Sequence, residues 1–114
     1  MGVYQIRNLV SEKVFIGSAF NFDAVFSKNK FQLDAGIHLS KSLQTDWDEL
    51  GTDNFVFEIL EEFSPRENVD LQGELIFLED LWFEKSEPYG GKGYNERKKT
   101  REERLQMIAA NKLK

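Results

Sequence analysis

The chain has 114 residues, a net charge of −5 and no cysteine, and 40% of its residues are hydrophobic. This length suits one compact domain, and the apolar content is enough for a core, which argues against global disorder. Disulfides, thiolate metal sites and a cysteine nucleophile are excluded. No apolar run approaches the roughly 20 residues of a membrane span, and no secretory signal is apparent, so we expect a cytoplasmic protein with no membrane partner.

The charge is unevenly distributed along the chain. Residues 96–114 contain seven basic and three acidic side chains, a net charge of +4. Residues 1–95 therefore carry eight basic and 17 acidic side chains, a net charge of −9. A body this acidic repels phosphate at long range. The shift in charge divides the chain into a domain over residues 1–95 and a basic C-terminal helix or tail over residues 96–114.

The first part of the chain predicts a hairpin followed by a helix. Residues 3–8 and 14–18 alternate apolar and polar side chains and are joined by a short polar connection, which favours an antiparallel pair of strands. Residues 22–35 place apolar side chains at helical spacing. Asn21 is a candidate cap for this helix, and Gly36 is a candidate stop.

The next part adds two helices and a strand. Residues 39–50 predict a helix, and residues 54–60 predict a strand that is apolar on both faces and therefore central in its sheet. A third helix is expected to start at Ser64, in a capping box with Glu67, and to end before Pro88. The element order predicts an α+β fold, a small sheet with helices packed against it. The expected apolar stripe of the second helix comprises Leu39, Leu43, Trp47 and Leu50.

Two polar features have plain structural interpretations. The glycine-rich segment 90–93 lacks the preceding strand and the following Ser or Thr of a P-loop, so we interpret it as a turn. His38 is the only histidine and lies at a predicted helix start. We interpret His38 as a cap or turn residue rather than a base.

A set of short motifs occurs in a specific order along residues 2–95. The ordered set resembles the GIY-YIG nuclease superfamily. The resemblance implies a three-stranded antiparallel sheet with flanking helices, which agrees with the element order above, and divalent-metal-dependent cleavage of DNA. The motifs are Gly2-Val3-Tyr4, Phe15-Ile16-Gly17 and the residues up to Asn21, Gly36-Ile37-His38, residues 43–47, residues 51–61, Glu74 within a helix, and Tyr94-Asn95.

The resemblance implies a site with several chemically distinct groups. A tyrosine from each half-motif orients or activates the attacking water, and an arginine on the first helix stabilises charge on the scissile phosphate. A histidine often follows the arginine by one turn, and a glutamate on the third helix holds Mg²⁺ or Mn²⁺.

Only part of this site is present in the sequence. Tyr4 matches the first tyrosine, but Phe15 stands at the position of the second. Val25 falls at the arginine position and Asn29 at the histidine position. Loss of one preorganised electrostatic donor typically costs about 10²–10³ in rate. The sequence therefore predicts a degenerate catalytic site.

The remaining matches leave alternatives open. Glu74 matches the metal-binding glutamate, although a solvated acidic helix face would also explain it. Asn95 matches a polar residue often near that glutamate. Lys28 or Lys30 offers a partial substitute for the missing arginine, although an ammonium clamps phosphate less well than a guanidinium. Tyr4 itself has a plainer interpretation, a strand aromatic with its hydroxyl at the surface.

The C-terminal basic run also has several interpretations. It is typical of a solvated helix face, but it is also a candidate DNA-binding segment or a helix that forms a homo-oligomer. The candidate nucleic-acid-binding residues are Arg97, Lys98, Lys99, Arg101 and Arg104.

Two hypotheses of function follow. The favoured one is a nuclease-fold protein that has lost cleavage, needs no metal and acts as a binding or interaction module. The alternative is an active Mg²⁺- or Mn²⁺-dependent DNA endonuclease with a rearranged site.

Overall fold

The computed structural model describes residues 1–65 and 70–95. Two short 3₁₀ turns, Thr52–Asn54 and Gly90–Lys92, accompany the regular elements. Three strands and three helices follow one another in the order that the sequence predicts. In chain order they are β1 (Gly2–Asn8), β2 (Val14–Ala19), α1 (Phe22–Ala35), α2 (Lys41–Leu50), β3 (Phe55–Glu62) and α3 (Leu71–Ser86).

The strands form one antiparallel sheet with the order β2-β1-β3. The predicted hairpin is confirmed, because β1 and β2 pair along their length. The prediction that the third strand is central is wrong, because β1 lies in the middle and β3 pairs only with β1. The apolar residues of β3 lie on both faces because helices cover both faces of the sheet. Phe57 packs with the α1 and α2 side, and Leu60 packs with the α3 side.

The sheet divides the core into two layers, each covered by helices. On one side of the sheet, α1 and α2 contribute Leu33, Leu43 and Trp47 to a cluster that includes Tyr4 and Ile6 of β1. On the other side, α3 contributes Phe83 to a smaller cluster with Val3 and Ile16. Alternate residues of β1 therefore enter opposite layers, as the two-residue period of a strand requires.

The predicted ends of α1 are confirmed. The Asn21 side chain accepts a hydrogen bond from the backbone N–H of Ala24, and Gly36 adopts the left-handed conformation (φ 76°) that ends many helices. The predicted start of α2 is two residues early. Ser40 caps this helix, and Leu39 is 91% exposed, so the apolar stripe is wrong at that residue.

The predicted start of α3 is wrong. Ser64 and Pro65 lie outside any helix, and the capping partner Glu67 falls outside the described residues. Asp70 caps α3 instead, because its side chain accepts from the backbone N–H of Gly73. The helix ends at Ser86, before Pro88 as expected. Within residues 1–65 and 70–95, no helix combines the length and apolarity needed to cross a membrane.

Candidate active site

The two half-motifs meet where Tyr4 of β1 lies opposite Gly17 of β2. The tyrosine ring packs directly over the glycine. A Cβ added at Gly17 would lie 2.6 Å from the Tyr4 hydroxyl oxygen. Glycine is therefore needed at this position for steric reasons, because any larger residue would displace the tyrosine. Tyr4 is only 5% exposed, so its interpretation as a surface aromatic is wrong.

A chain of buried side chains leads from Tyr4 to the start of α2. The Asn29 amide nitrogen donates to the Tyr4 hydroxyl at 3.3 Å and to the Val25 carbonyl at 2.9 Å. The Asn29 amide oxygen lies 2.7 Å from Nε2 of His38. Nδ1 of His38 in turn accepts from the backbone N–H of Ser40 at 3.0 Å. We call Tyr4, Asn29 and His38 the Tyr4 network.

The backbone sets the direction of hydrogen bonding through this network. Nδ1 of His38 accepts a proton from a backbone donor, so Nε2 carries the ring proton and donates to Asn29. Burial lowers the pKa of His38, which favours the neutral ring that this arrangement needs. Asn29 then donates to the Tyr4 hydroxyl. A path of donors therefore runs from the Ser40 N–H through His38 and Asn29 to the Tyr4 hydroxyl.

The Tyr4 hydroxyl is protonated, and the described residues do not use it as a hydrogen-bond donor. Burial raises the pKa of Tyr4, and the charge of Glu79 raises it further, while the hydrogen bond from Asn29 partly offsets both. In the part of the chain that the structure describes, no group accepts a hydrogen bond from this hydroxyl. The network thus holds a neutral phenol that accepts from Asn29 and has no described acceptor for its own proton.

The carboxylate whose charge raises the pKa of Tyr4 is Glu79 of α3, a residue that the sequence analysis did not single out. The Ser18 hydroxyl of β2 donates to Oε2 of Glu79 at 2.6 Å. Glu74 lies in the first turn of α3, and no contact of Tyr4 involves it. Five residues along a helix correspond to a rotation of roughly 140°, so Glu74 and Glu79 cannot share one face. The angle alone does not show which of the two faces the sheet, and a metal-binding role for Glu74 stays a prediction.

The positions that depart from the family pattern have structural roles. The Phe15 ring meets His38 edge-on, with 5.3 Å between ring centroids. Val25 packs against the core on the α1 side. Lys30 pairs with Asp34 at 3.0 Å, and Lys28 is exposed. Within the described residues, no lysine or arginine contacts the Tyr4 network.

Asn95 has a well-defined place beside β2. Its side-chain oxygen accepts from the Ile16 N–H, and its side-chain nitrogen donates to the Ile16 carbonyl, both at 2.8 Å. The backbone N–H of Tyr94 also donates to the Val14 carbonyl. Residues 93–95 therefore cover the outer edge of β2. This accounts for the placement of Asn95 without assigning it a chemical role.

GIY-YIG nucleases generally use a divalent metal, and the oxygen ligands near Tyr4 can be compared with what such a metal requires. Among residues 1–65 and 70–95, no three His, Asp or Glu side chains form a ready metal cage. Mg²⁺ does not require one, because it is commonly held by one or two carboxylates together with water and substrate phosphate. Glu79 is compatible with such a site.

The predicted basic residues of the tail (Arg97, Lys98, Lys99, Arg101 and Arg104) lie outside the described part of the chain. The division between a domain over residues 1–95 and a tail over residues 96–114 likewise stays a prediction.

Comparison with known proteins shows that the chain is related to an endonuclease. No family model matches the chain. The chain is 33% identical over 82 residues to intron-associated endonuclease 1 of Enterobacteria phage T4, an alignment that covers 70% of the chain and 32% of that protein's length.

Two solved structures also match the fold. The catalytic domain of homing endonuclease I-TevI superposes with a TM-score of 0.70 at 30% identity, covering 85% of this chain and 98% of that domain. A glutamate-to-alanine mutant of the same catalytic domain also superposes with a TM-score of 0.70 at 30% identity, with 87% of this chain and 95% of that one covered. With its motifs, its β2-β1-β3 sheet and these relatives, the chain belongs to the GIY-YIG nuclease superfamily.

Proposed function

We propose that the chain is a nuclease-fold protein in which phosphodiester cleavage is lost or strongly reduced, and that it serves as a binding module for nucleic acid. The observation that carries the proposal is the aliphatic side chain of Val25 at the position where the family pattern places an arginine. Valine cannot stabilise the charge that develops on a phosphate, and no described cation contacts the Tyr4 network in its place.

The hydroxyl that is missing at the second tyrosine position supports the same proposal. Phe15 has no proton to exchange and packs its ring against His38. Removal of one preorganised donor typically lowers the rate by about 10²–10³. Catalytic groups act as a unit, so the loss of several does not add simply, but little activity need remain.

The charge of the body further supports weak affinity for a duplex at the site. Residues 1–95 carry a net charge of −9, which opposes the approach of a polyanion. Binding of DNA through the basic residues of the tail would offset this repulsion, and this remains part of the proposal.

A second candidate function is an active endonuclease with a rearranged site. The effect of the Glu79 charge on the pKa of Tyr4 favours it, as do relatives that are endonucleases. In that case Tyr4 would orient the attacking water, and Glu79 would hold a divalent metal that supplies Lewis-acid activation. A lysine would have to reach the phosphate.

Nicking of supercoiled plasmid in Mg²⁺ or Mn²⁺ tests the proposal. We expect the unmodified chain to leave the plasmid intact. A variant that combines Phe15→Tyr, Val25→Arg and Asn29→His should regain metal-dependent nicking, because it restores the groups that the family pattern contains. Adding Glu79→Ala to that variant should abolish nicking.

Glu74→Ala provides the matched control, because it removes the same charge from the same helix. If Glu79 holds the metal, Glu74→Ala in the restored variant should leave nicking largely unchanged. Nicking by the unmodified chain that Glu79→Ala abolishes would establish the second candidate instead. A restored variant that folds and binds duplex DNA without nicking it would contradict the proposal that the missing groups silence the site.

A further inference from the structure

We infer that a cleft beside Phe15 binds a nucleotide unit of single-stranded nucleic acid, with its phosphate at Lys13 and Lys41 and its base against Phe15. The cleft has a volume of about 740 Å³ and lies between the end of the β1–β2 hairpin, the start of α2 and the segment after α3. This volume is within the range of typical small-ligand sites, roughly 300–1,000 Å³. The inference rests on the proposed function in one respect, namely that the bound strand is not cut.

The charge of the cleft is opposite to that of the body. Its described lining includes two lysines, Lys13 and Lys41, and no acidic residue. Neither lysine forms an ion pair with any described residue, whereas Lys30 and Lys92 are paired with carboxylates. In a domain with a net charge of −9, a cleft lined by two cations that pair with no described carboxylate is a local site for an anion.

A hydrogen-bond donor lies beside these cations. The hydroxyl of Ser42 is on the cleft wall, 3.5 Å from that of Ser40, which donates its own proton to the Tyr94 carbonyl at 2.8 Å. Lys13 itself lies over the ring of Tyr94, 5.9 Å from its centroid. This contact holds the ammonium at the cleft while leaving its charge uncompensated. Ammonium and hydroxyl groups together are the usual partners of phosphate oxygens.

The apolar part of the lining favours an unpaired base. Phe15 is partly buried and faces the cleft, and Leu39 is 91% exposed at its rim. A flat base can stack on an aromatic ring, an interaction that tolerates any base sequence but requires the base to be unpaired. A duplex would keep its bases stacked on one another, so a single strand or a free nucleotide fits this lining better.

Fluorescence anisotropy with a short labelled oligothymidylate tests the inference on the full chain. The assay contains chelator and no divalent metal, so its result does not depend on whether the protein cleaves DNA. Lys13→Gln combined with Lys41→Gln should weaken binding about tenfold or more at low salt. The slope of log affinity against log salt should fall by about 1.4, because about 0.7 is lost for each phosphate contact on a single strand.

Lys30→Gln combined with Lys85→Gln is the matched control, because it removes the same charge from exposed positions outside the cleft. Its effect on affinity should be much smaller. Phe15→Ala should weaken binding by about tenfold without changing the salt slope. Equal losses from both lysine pairs, or undiminished binding in the cleft pair, would overturn the inference.

Competition by thymidine monophosphate distinguishes a free nucleotide from a single strand as the ligand of the cleft. Displacement of the oligothymidylate at comparable concentration would identify a free nucleotide as a sufficient ligand. Displacement only by unlabelled oligothymidylate would identify the strand. A nicking assay that overturns the proposed function would leave these binding results intact, and failure of binding here would leave the nicking result intact.

Discussion

Two buried tyrosines, Tyr4 and Tyr94, differ in the hydrogen bonds that their hydroxyl groups form. Tyr94 is 4% exposed, accepts from the amide of Asn8 at 2.9 Å and donates to the Asp46 carboxylate at 2.6 Å. Tyr4 is 5% exposed and accepts from the amide of Asn29 at 3.3 Å. The Tyr4 hydroxyl, however, donates to no described residue.

The difference distinguishes the structural role of Tyr94 from the functional role proposed for Tyr4. The hydroxyl of Tyr94 joins the end of β1, the α2 helix and the segment after α3, and both its donor and its acceptor capacities are used. The hydroxyl of Tyr4 accepts from Asn29, and no described residue accepts its proton. A buried polar group that is only partly used costs stability, so it is a feature to expect at a site rather than in a core.

The largest effect is expected when Tyr94 loses its hydroxyl. Tyr94→Phe leaves the buried amide of Asn8 and the Asp46 carboxylate without their partner. Loss of two such hydrogen bonds, one of them to a charged group, should lower the free energy of unfolding by about 3 kcal/mol. Urea denaturation measures this change.

Tyr89→Phe is the control for the Tyr94 substitution. Tyr89 packs against the α3 side of the core, and its hydroxyl forms no hydrogen bond with the described residues. We expect a change within about 0.5 kcal/mol for Tyr89→Phe. Similar losses for the two variants would mean that the hydroxyl network of Tyr94 contributes little to stability.

Raising the pH should lower the free energy of unfolding by a somewhat smaller amount, because the hydroxyl of Tyr94 then loses its proton. Burial, followed by the hydrogen bond to Asp46, raises the pKa of Tyr94 to about 12, against about 10 in the unfolded chain. The neutral phenol stabilises the fold fully below pH 10, and this contribution is lost as the pH rises from about 10 to about 12. The expected total is about 2.7 kcal/mol, because each unit of difference in pKa corresponds to about 1.36 kcal/mol.

The comparison with Tyr94→Phe isolates this effect from the titration of lysines. The variant lacks the titrating hydroxyl, so its unfolding free energy should fall less steeply than that of the unmodified chain over the same pH range. Parallel curves from denaturation at each pH would contradict the assignment of the alkaline loss to Tyr94.

Features that depend on local chemistry could be predicted from the sequence. The hairpin, the α1 cap at Asn21 and the stop at Gly36 each follow from residues within a few positions of one another. The order of the strands could not be predicted in this way. It depends on pairing between β1 and β3, which lie about fifty residues apart, and on the helices that cover both faces of β3.

The site was predictable in part for the same reason. Tyr4 and Phe15 belong to motifs that a sequence displays directly. His38 was judged by its neighbours, which indicated a turn, and its hydrogen bond to Ser40 agrees with that interpretation. Its second bond, to Asn29, needs α1 and α2 to pack together. Glu79 was missed because a choice among several acids on one helix requires knowledge of which face meets the sheet.

A much smaller loss of stability than that of Tyr94→Phe is expected for Tyr4→Phe, which sharpens the contrast between the two tyrosines. Asn29 would keep its bonds to His38 and to the Val25 carbonyl and would lose only a long one at 3.3 Å. We expect the free energy of unfolding to fall by less than about 1 kcal/mol, measured by urea denaturation alongside Tyr94→Phe. The phenyl ring would still pack over Gly17, so the sheet should be unchanged. A loss as large as that of Tyr94→Phe would show that the Tyr4 hydroxyl is a structural group after all, because its proton would then have an acceptor within the fold.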